Sequence, residues 1–294
     1  MTAFTGVGVA LVTPFKTDFS VDYDHLEKII HHISEGGVDY IVANGTTGEA
    51  STLTNQEKKD VLSFIATHNP KKLPILYGIG ANNTQHVLDC IDETNTSQID
   101  GILSVCPYYN KPTQEGIYQH FKHIAAHTDL PLMLYSVQGR SVVNISAETT
   151  IRLSEIPNII GTKEASGDLV QAMKIQKYTD DDFLLISGDD ILTVPMITAG
   201  AQGVISVLAN AIPSKFTQMV KAALKADFDS ASKHLLDLVD LNELMYEENN
   251  PVGVKQLLHQ LGLCNKTVRL PLVEATEESA KKIKLEVDKL AVSL

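Results

Sequence analysis

Short, almost continuously apolar runs alternate with longer segments of helical period from the start of the chain. The runs are Gly6–Val12, Tyr40–Ala43, Ile75–Tyr77, Gly101–Val105, Leu132–Tyr135, Ile159–Lys163, Phe183–Ser187 and Val204–Val207. Strands that are apolar on both faces belong to parallel sheets covered by helices. Between them, Asp22–Glu35, Asn55–His68, Asn83–Thr94, Gln114–His127, a segment capped by Ser146 and running to Ile156, and Asp168–Tyr178 read as helices. Gly36-Gly37 and Asn69-Pro70 supply stop signals, and Pro213 suits the first turn of a further helix. Thr149 stands where a capping box would place Glu or Gln, so Ser146 caps without a full box. From Asp229 onward only helical patterns remain: Ala231–Glu248, Val254–Leu261 and Glu277–Ala291.

About eight strand–helix units of near-equal length predict an α/β fold, a closed (β/α)8 TIM barrel, with a C-terminal helical extension. We expect the catalytic barrel over residues 1–226 and the extension over 227–294. The rival is an open doubly wound sheet. Unbroken alternation favours closure, and no G-x-G-x-x-G follows the first run.

Charge narrows the function. The 294 residues carry a net charge of -12, which argues against nucleic acid and anionic membrane surfaces. No run of apolar residues is long enough to span a bilayer, and no basic segment precedes an apolar one at the N-terminus, so a cytoplasmic protein is expected. Cys90, Cys106 and Cys264 are far apart and form no C-x-x-C, and no H-E-x-x-H occurs. They are read as buried thiols, with neither a disulfide framework nor a metal site. His31, His32 and the histidines from His120 to His127 read as surface or packing residues of helices.

In a barrel of this kind the chemistry sits where the strands end. Those ends hold Thr13, the Gly45–Glu49 loop, Tyr108-Tyr109, Tyr135 to Arg140, Lys163-Glu164, Gly188-Asp189 and Ser206. Taken singly, each has a structural explanation, since strand-end lysines reach out to water and glycines make tight turns. Together they form a set with a purpose. An amine in apolar surroundings gives up its proton more readily, and a neutral amine attacks carbonyl carbon to form an imine. Hydroxyls shuttle protons, and hydroxyls with backbone amides hold a carboxylate. This is imine chemistry that needs no cofactor and no metal.

With these residues assembled, the chain resembles the pyruvate-dependent lyase family that contains the dihydrodipicolinate synthases and N-acetylneuraminate lyase. The likeness runs from about Thr5 to past Leu261. Gly45-Thr46-Thr47-Gly48-Glu49 resembles one family signature. Tyr135 followed by Lys163, 163 − 135 = 28 positions on, resembles the second. The resemblance implies that Lys163 forms a Schiff base with pyruvate and that Tyr135 is the general acid and base over it. It implies that Thr46 links Tyr135 to Tyr109 in a proton relay, and that Thr47 holds the pyruvate carboxylate. Gly188 and Ile205 match positions lining the substrate pocket. The tyrosine matching Tyr109 comes from a neighbouring subunit, so a homodimer is the minimum unit, with a tetramer left open. Arg140, which the sugar-acid lyases lack, suits the carboxylate of aspartate-4-semialdehyde.

The chain departs from the family pattern at Ser136, Gln138 and Ser141, where asparagine, proline and threonine are usual. Losing proline at 138 frees a backbone torsion in the loop that aims Arg140. At the positions that bind lysine in feedback-inhibited synthases stand Asn55, Lys58 and His86, with Asn82 and Tyr108 kept. A cation added there and an anion removed disfavour an ammonium ligand, so weak or absent lysine inhibition is expected. Two alternatives remain at this point: a sugar-acid aldolase with the same imine, and a catalytically silent barrel that binds ligand.

Overall fold

The eight apolar runs are eight parallel strands: β1 Gly6–Ala10, β2 Tyr40–Ala43, β3 Ile75–Gly78, β4 Gly101–Val105, β5 Leu132–Ser136, β6 Ile159–Glu164, β7 Leu184–Ser187 and β8 Gly203–Ser206. The structure, a computed structural model, describes residues 3–290. Each strand pairs with the next, and β8 pairs back onto β1, so the sheet closes into a barrel. Alternation along each strand divides the apolar residues in two. Ala10, Val42, Leu76, Leu103, Met133, Ile186 and Ile205 fill the barrel interior with Phe4 and Tyr40. Val7, Val9, Ile41, Ile102, Leu132, Leu134 and Leu185 face the helical layer. Gly8 shows how tightly the interior is filled. A Cβ there would fall 2.2 Å from the Tyr40 ring, so the bare backbone makes room for the aromatic.

Helices cover the outside: α1 Tyr23–Glu35, α2 Asn55–Thr67, α3 Thr84–Glu93, α4 Gln114–His127, α5 Gln138–Ser141, α6 Ala147–Ser154, α7 Leu169–Tyr178, α8 Thr193–Thr198 and α9 Pro213–Leu224. Ser146 caps α6 through Thr149 N, and Asp168 caps α7 through Val170 N and Gln171 N. A full capping box at Thr54 and Glu57, not anticipated from the sequence, starts α2. The short helices α5 and α8 were also unanticipated, having too few residues to show a period.

After the barrel come α10 Phe228–Leu236, α11 Val239–Glu247, α12 Val252–Gln260 and α13 Glu277–Lys289. The helix expected over Ala231–Glu248 is therefore two, broken at Asp237-Leu238. No glycine or proline marks that break. Leu238, Leu241 and Met245 are buried in the same core as the barrel's outer face, and the chain turns to bring them there. Ala291, the expected end of the last helix, lies outside the described residues.

Candidate active site

Lys163 and Tyr135 are partners in the register of β6 and β5, near the carboxyl ends of both strands. Both side chains are buried, at 7% and 8% exposure, and the Lys163 Nζ lies 4.2 Å from the centre of the Tyr135 ring. They open into a cavity of about 530 Å³. Thr46, Thr47, Gly188 and Arg140 line the same cavity. Six of the eight residues singled out from the sequence thus share one space.

Each is placed by its local backbone. The Gly45–Glu49 segment follows β2 as consecutive turns, with Gly48 N donating to Gly45 O and Glu49 N to Thr46 O. Thr13 Oγ1, at the end of the first strand's loop, donates to Gly48 O at 2.8 Å. Thr47 is buried, while Thr46 is exposed at the cavity surface. Gly188 sits against the lysine: a Cβ there would lie 2.5 Å from Ala165 Cβ and 3.1 Å from Lys163 Cε.

Arg140 lies on α5, and its Nη2 donates to Asn250 O at 3.3 Å. Gln138, where proline is usual, opens that helical turn, with the amides of Arg140 and Ser141 donating to Val137 O. Ser141 Oγ contacts both Val137 O and Val143 O, and Ser136 Oγ donates to Asn144 Oδ1. Local hydrogen bonds therefore hold the loop without the ring of a proline.

Two expected members stand apart. Ile205 is buried in the apolar cluster inside the barrel, and beyond β8 it is Val207 that forms the cavity wall. Tyr109 is 85% exposed at φ 72° and is not part of its own chain's cavity wall. Its neighbour Tyr108 is. The cavity continues between α2 and α3, where Asn55, Lys58, Asn82, His86 and Cys90 line it. Cys90 is therefore only partly buried, in contrast to Cys106 and Cys264.

Two carboxyls, Glu164 and Asp190, are buried behind the cavity wall. Burial raises the Glu164 carboxyl above its ordinary range, even though Ser166 N and Gln171 Nε2 donate to it. Burial raises Asp190 further, to about 6. Burial and the nearby Asp190 and Asp189 push the Tyr246 phenol upward. Among the described residues no cluster of His, Cys, Asp or Glu has the arrangement of a metal site.

The residues of the chain from 3 to 290 match the model of the Dihydrodipicolinate synthetase family. The chain belongs to this family. As a member it is an enzyme, a pyruvate-dependent lyase. It is 52% identical to the 4-hydroxy-tetrahydrodipicolinate synthase of Cytophaga hutchinsonii, covering 96% of this chain and 95% of that one. It is 47% identical to the synthase of Flavobacterium psychrophilum over 99% of this chain and 100% of the relative. Its backbone superposes on the crystal structure of the Aquifex aeolicus dihydrodipicolinate synthase with a TM-score of 0.95, at 38% identity, over 99% of both chains. It also superposes on the chloride-inhibited synthase of Acinetobacter baumannii complexed with pyruvate, with a TM-score of 0.94, at 39% identity, over 98% of both.

The family signatures do not point to everything in the site. Tyr246 and Asn250 also line the cavity, and both come from the extension rather than the barrel. Asn250 Nδ2 donates to Thr47 Oγ1 at 2.9 Å, while its carbonyl accepts from Arg140. One side of this residue thus holds the threonine and the other the arginine. The Asn249-Asn250-Pro251 turn is visible in the sequence as a helix break, but nothing local says that it reaches the barrel mouth. Among the described residues no helix is long and apolar enough to cross a membrane.

Proposed function

We propose that this enzyme condenses pyruvate with L-aspartate-4-semialdehyde to 4-hydroxy-tetrahydrodipicolinate, a step toward diaminopimelate and lysine, through a Schiff base on Lys163. One observation carries the reading: a buried amine 4.2 Å from the Tyr135 ring, in a cavity also lined by Thr46, Thr47 and Arg140. The Lys163 amine adds to C2 of pyruvate and water leaves, forming the imine. The Tyr135 phenol supplies and recovers the protons of that exchange. Thr47, with the Thr46-Thr47 amides, holds the pyruvate carboxylate. Loss of a methyl proton gives an enamine whose carbon bonds to the aldehyde carbon of the semialdehyde; the aldehyde C=O opens, its oxygen takes up a proton to become the hydroxyl, and the imine is restored. The semialdehyde's own amine then displaces Lys163 and closes the ring. Arg140, at the exposed rim, receives the second carboxylate.

The relay from Tyr135 through Thr46 ends at Tyr109 of a second copy, so the working unit is a dimer. The exposure of Tyr109 supports this. Three unpaired thiols suit a reducing cytoplasm. Lysine feedback is weak or absent, because Lys58 adds a cation to the cavity between α2 and α3, and Glu93 on the same wall is already paired with Lys59 at 3.4 Å.

Borohydride added with pyruvate is expected to leave a reduced adduct on the peptide containing Lys163. An unmodified Lys163 peptide removes the mechanism. Steady-state turnover is expected with aspartate-4-semialdehyde and not with N-acetylneuraminate or 2-keto-3-deoxygluconate, and preference for a sugar acid reverses the substrate assignment. Micromolar inhibition by lysine in the same assay overturns the feedback reading.

A further inference from the structure

The C-terminal extension reaches the carboxylate loop through charge buried beneath it. Glu49 ends the Gly45–Glu49 segment at φ 53°, a left-handed conformation that a non-glycine residue adopts only where its surroundings hold it. Its Oε1 accepts from Lys255 Nζ, and its Oε2 accepts from Arg269 N at 3.0 Å. Lys255 lies on α12 and is fully buried, at 0% exposure. It donates a second bond to Thr267 O at 2.9 Å, and its ammonium lies 4.0 Å from the centre of the Phe15 ring. Burial draws the Lys255 ammonium below its ordinary range, and Glu49 opposes that shift.

The Arg269 guanidinium lies 4.3 Å from the same Phe15 ring and donates to Phe19 O, Thr52 O and Glu57. That ion pair holds the Glu57 carboxyl down to about 2. Glu57 also closes the capping box of α2. The segment after β2 is thus tied at Thr47 by Asn250, at Glu49 by Lys255 and Arg269, and at Glu57 by Arg269 again. All three partners belong to the extension.

A buried ion pair is a poor way to gain stability, because desolvating two charges offsets most of their attraction, and apolar replacements are often no worse. What such a pair does supply is a single geometry. We propose that Lys255 and Glu49 are positioning residues for the pyruvate carboxylate. Their pair locks the left-handed turn at Glu49 and so aims the Thr46 and Thr47 amides and the Thr47 hydroxyl. This rests on the reading that those groups receive the carboxylate.

The test pairs Glu49→Gln with Lys255→Met, which removes both charges and leaves no uncompensated ion. The KM for pyruvate is expected to rise about tenfold, with kcat and the KM for the semialdehyde changing by less than about threefold, because binding rather than chemistry is loosened. Borohydride at saturating pyruvate still labels Lys163 in this variant. If the double variant does not fold, Glu49→Asp keeps both charges but shortens the reach to Lys255 by one methylene, and its pyruvate KM is expected to rise several-fold. A folded variant whose pyruvate KM stays within about twofold of wild type, or whose kcat falls while KM is unmoved, overturns the proposal. Wild-type enzyme that pyruvate and borohydride leave unlabelled at Lys163 fails the reading of the site itself. A labelled wild type with an unmoved variant fails only the clamp.

Discussion

One methyl group at position 188 tests how closely the Lys163 amine is placed. The Cβ of Gly188→Ala would press on Ala165 Cβ and Lys163 Cε, at 2.5 and 3.1 Å. Displacing the amine by an ångström costs on the order of a hundredfold in rate. We therefore expect kcat/KM to fall about a hundredfold and borohydride labelling to slow in parallel, with a modest drop in unfolding temperature from the overpacking. Wild-type labelling kinetics in that variant contradict the placement. At this scale much of the site was legible. Lys163, Tyr135 and the threonines stand at strand ends, and a strand end in a barrel has one address. Asn250 was illegible because its role comes from a contact with Thr47 across 203 positions of sequence. Ile205 was read as pocket wall. It lies in the apolar interior of the barrel instead, and Val207 lines the cavity.

Between elements, one buried carboxyl joins the loops after β7 and β8. Asp190 Oδ2 accepts from the amides of Val207 and Leu208, at 3.1 and 2.8 Å. Its folded pKa of about 6 exceeds the ordinary 3.8, so the folded state takes up a proton first as pH falls. That contributes about 3 kcal/mol of stability between neutrality and pH 4, lost again as pH rises through 6. His120 acts in the opposite sense. Burial lowers it to about 4, so the unfolded chain is protonated first and stability falls as pH drops from about 6.5. The two contributions nearly cancel. Asp190→Asn keeps an acceptor for both amides and removes only one of them. The unfolding temperature of that variant is expected to drop more steeply than wild type between pH 7 and pH 4.5, and parallel curves refute the assignment. Most elements were predictable from period and caps. The break at Asp237-Leu238 was not, because three buried apolar side chains on the far face decide it, and no local residue does.

For the whole molecule, the question is what a second copy adds. If Tyr109 serves the partner's cavity, two inactive chains can rescue each other. Mixing Lys163→Ala with Tyr109→Phe chains and reassembling them is expected to restore roughly a quarter of the wild-type sites, since one site in each mixed dimer is complete. No recovery above the two variants measured alone rules out sharing of the tyrosine. The sequence by itself determined the eight alternating units, and with them the closed barrel, because apolar period and chain stops are local signals that repeat. It also determined which side chains stand at the strand ends. Only the tertiary structure decided that the last four helices share the barrel's core and that Asn250, Lys255 and Arg269 tie the extension to the Gly45–Glu49 segment. That depends on packing between segments about two hundred residues apart, and a buried pair such as Lys255 with Glu49 has no local signature.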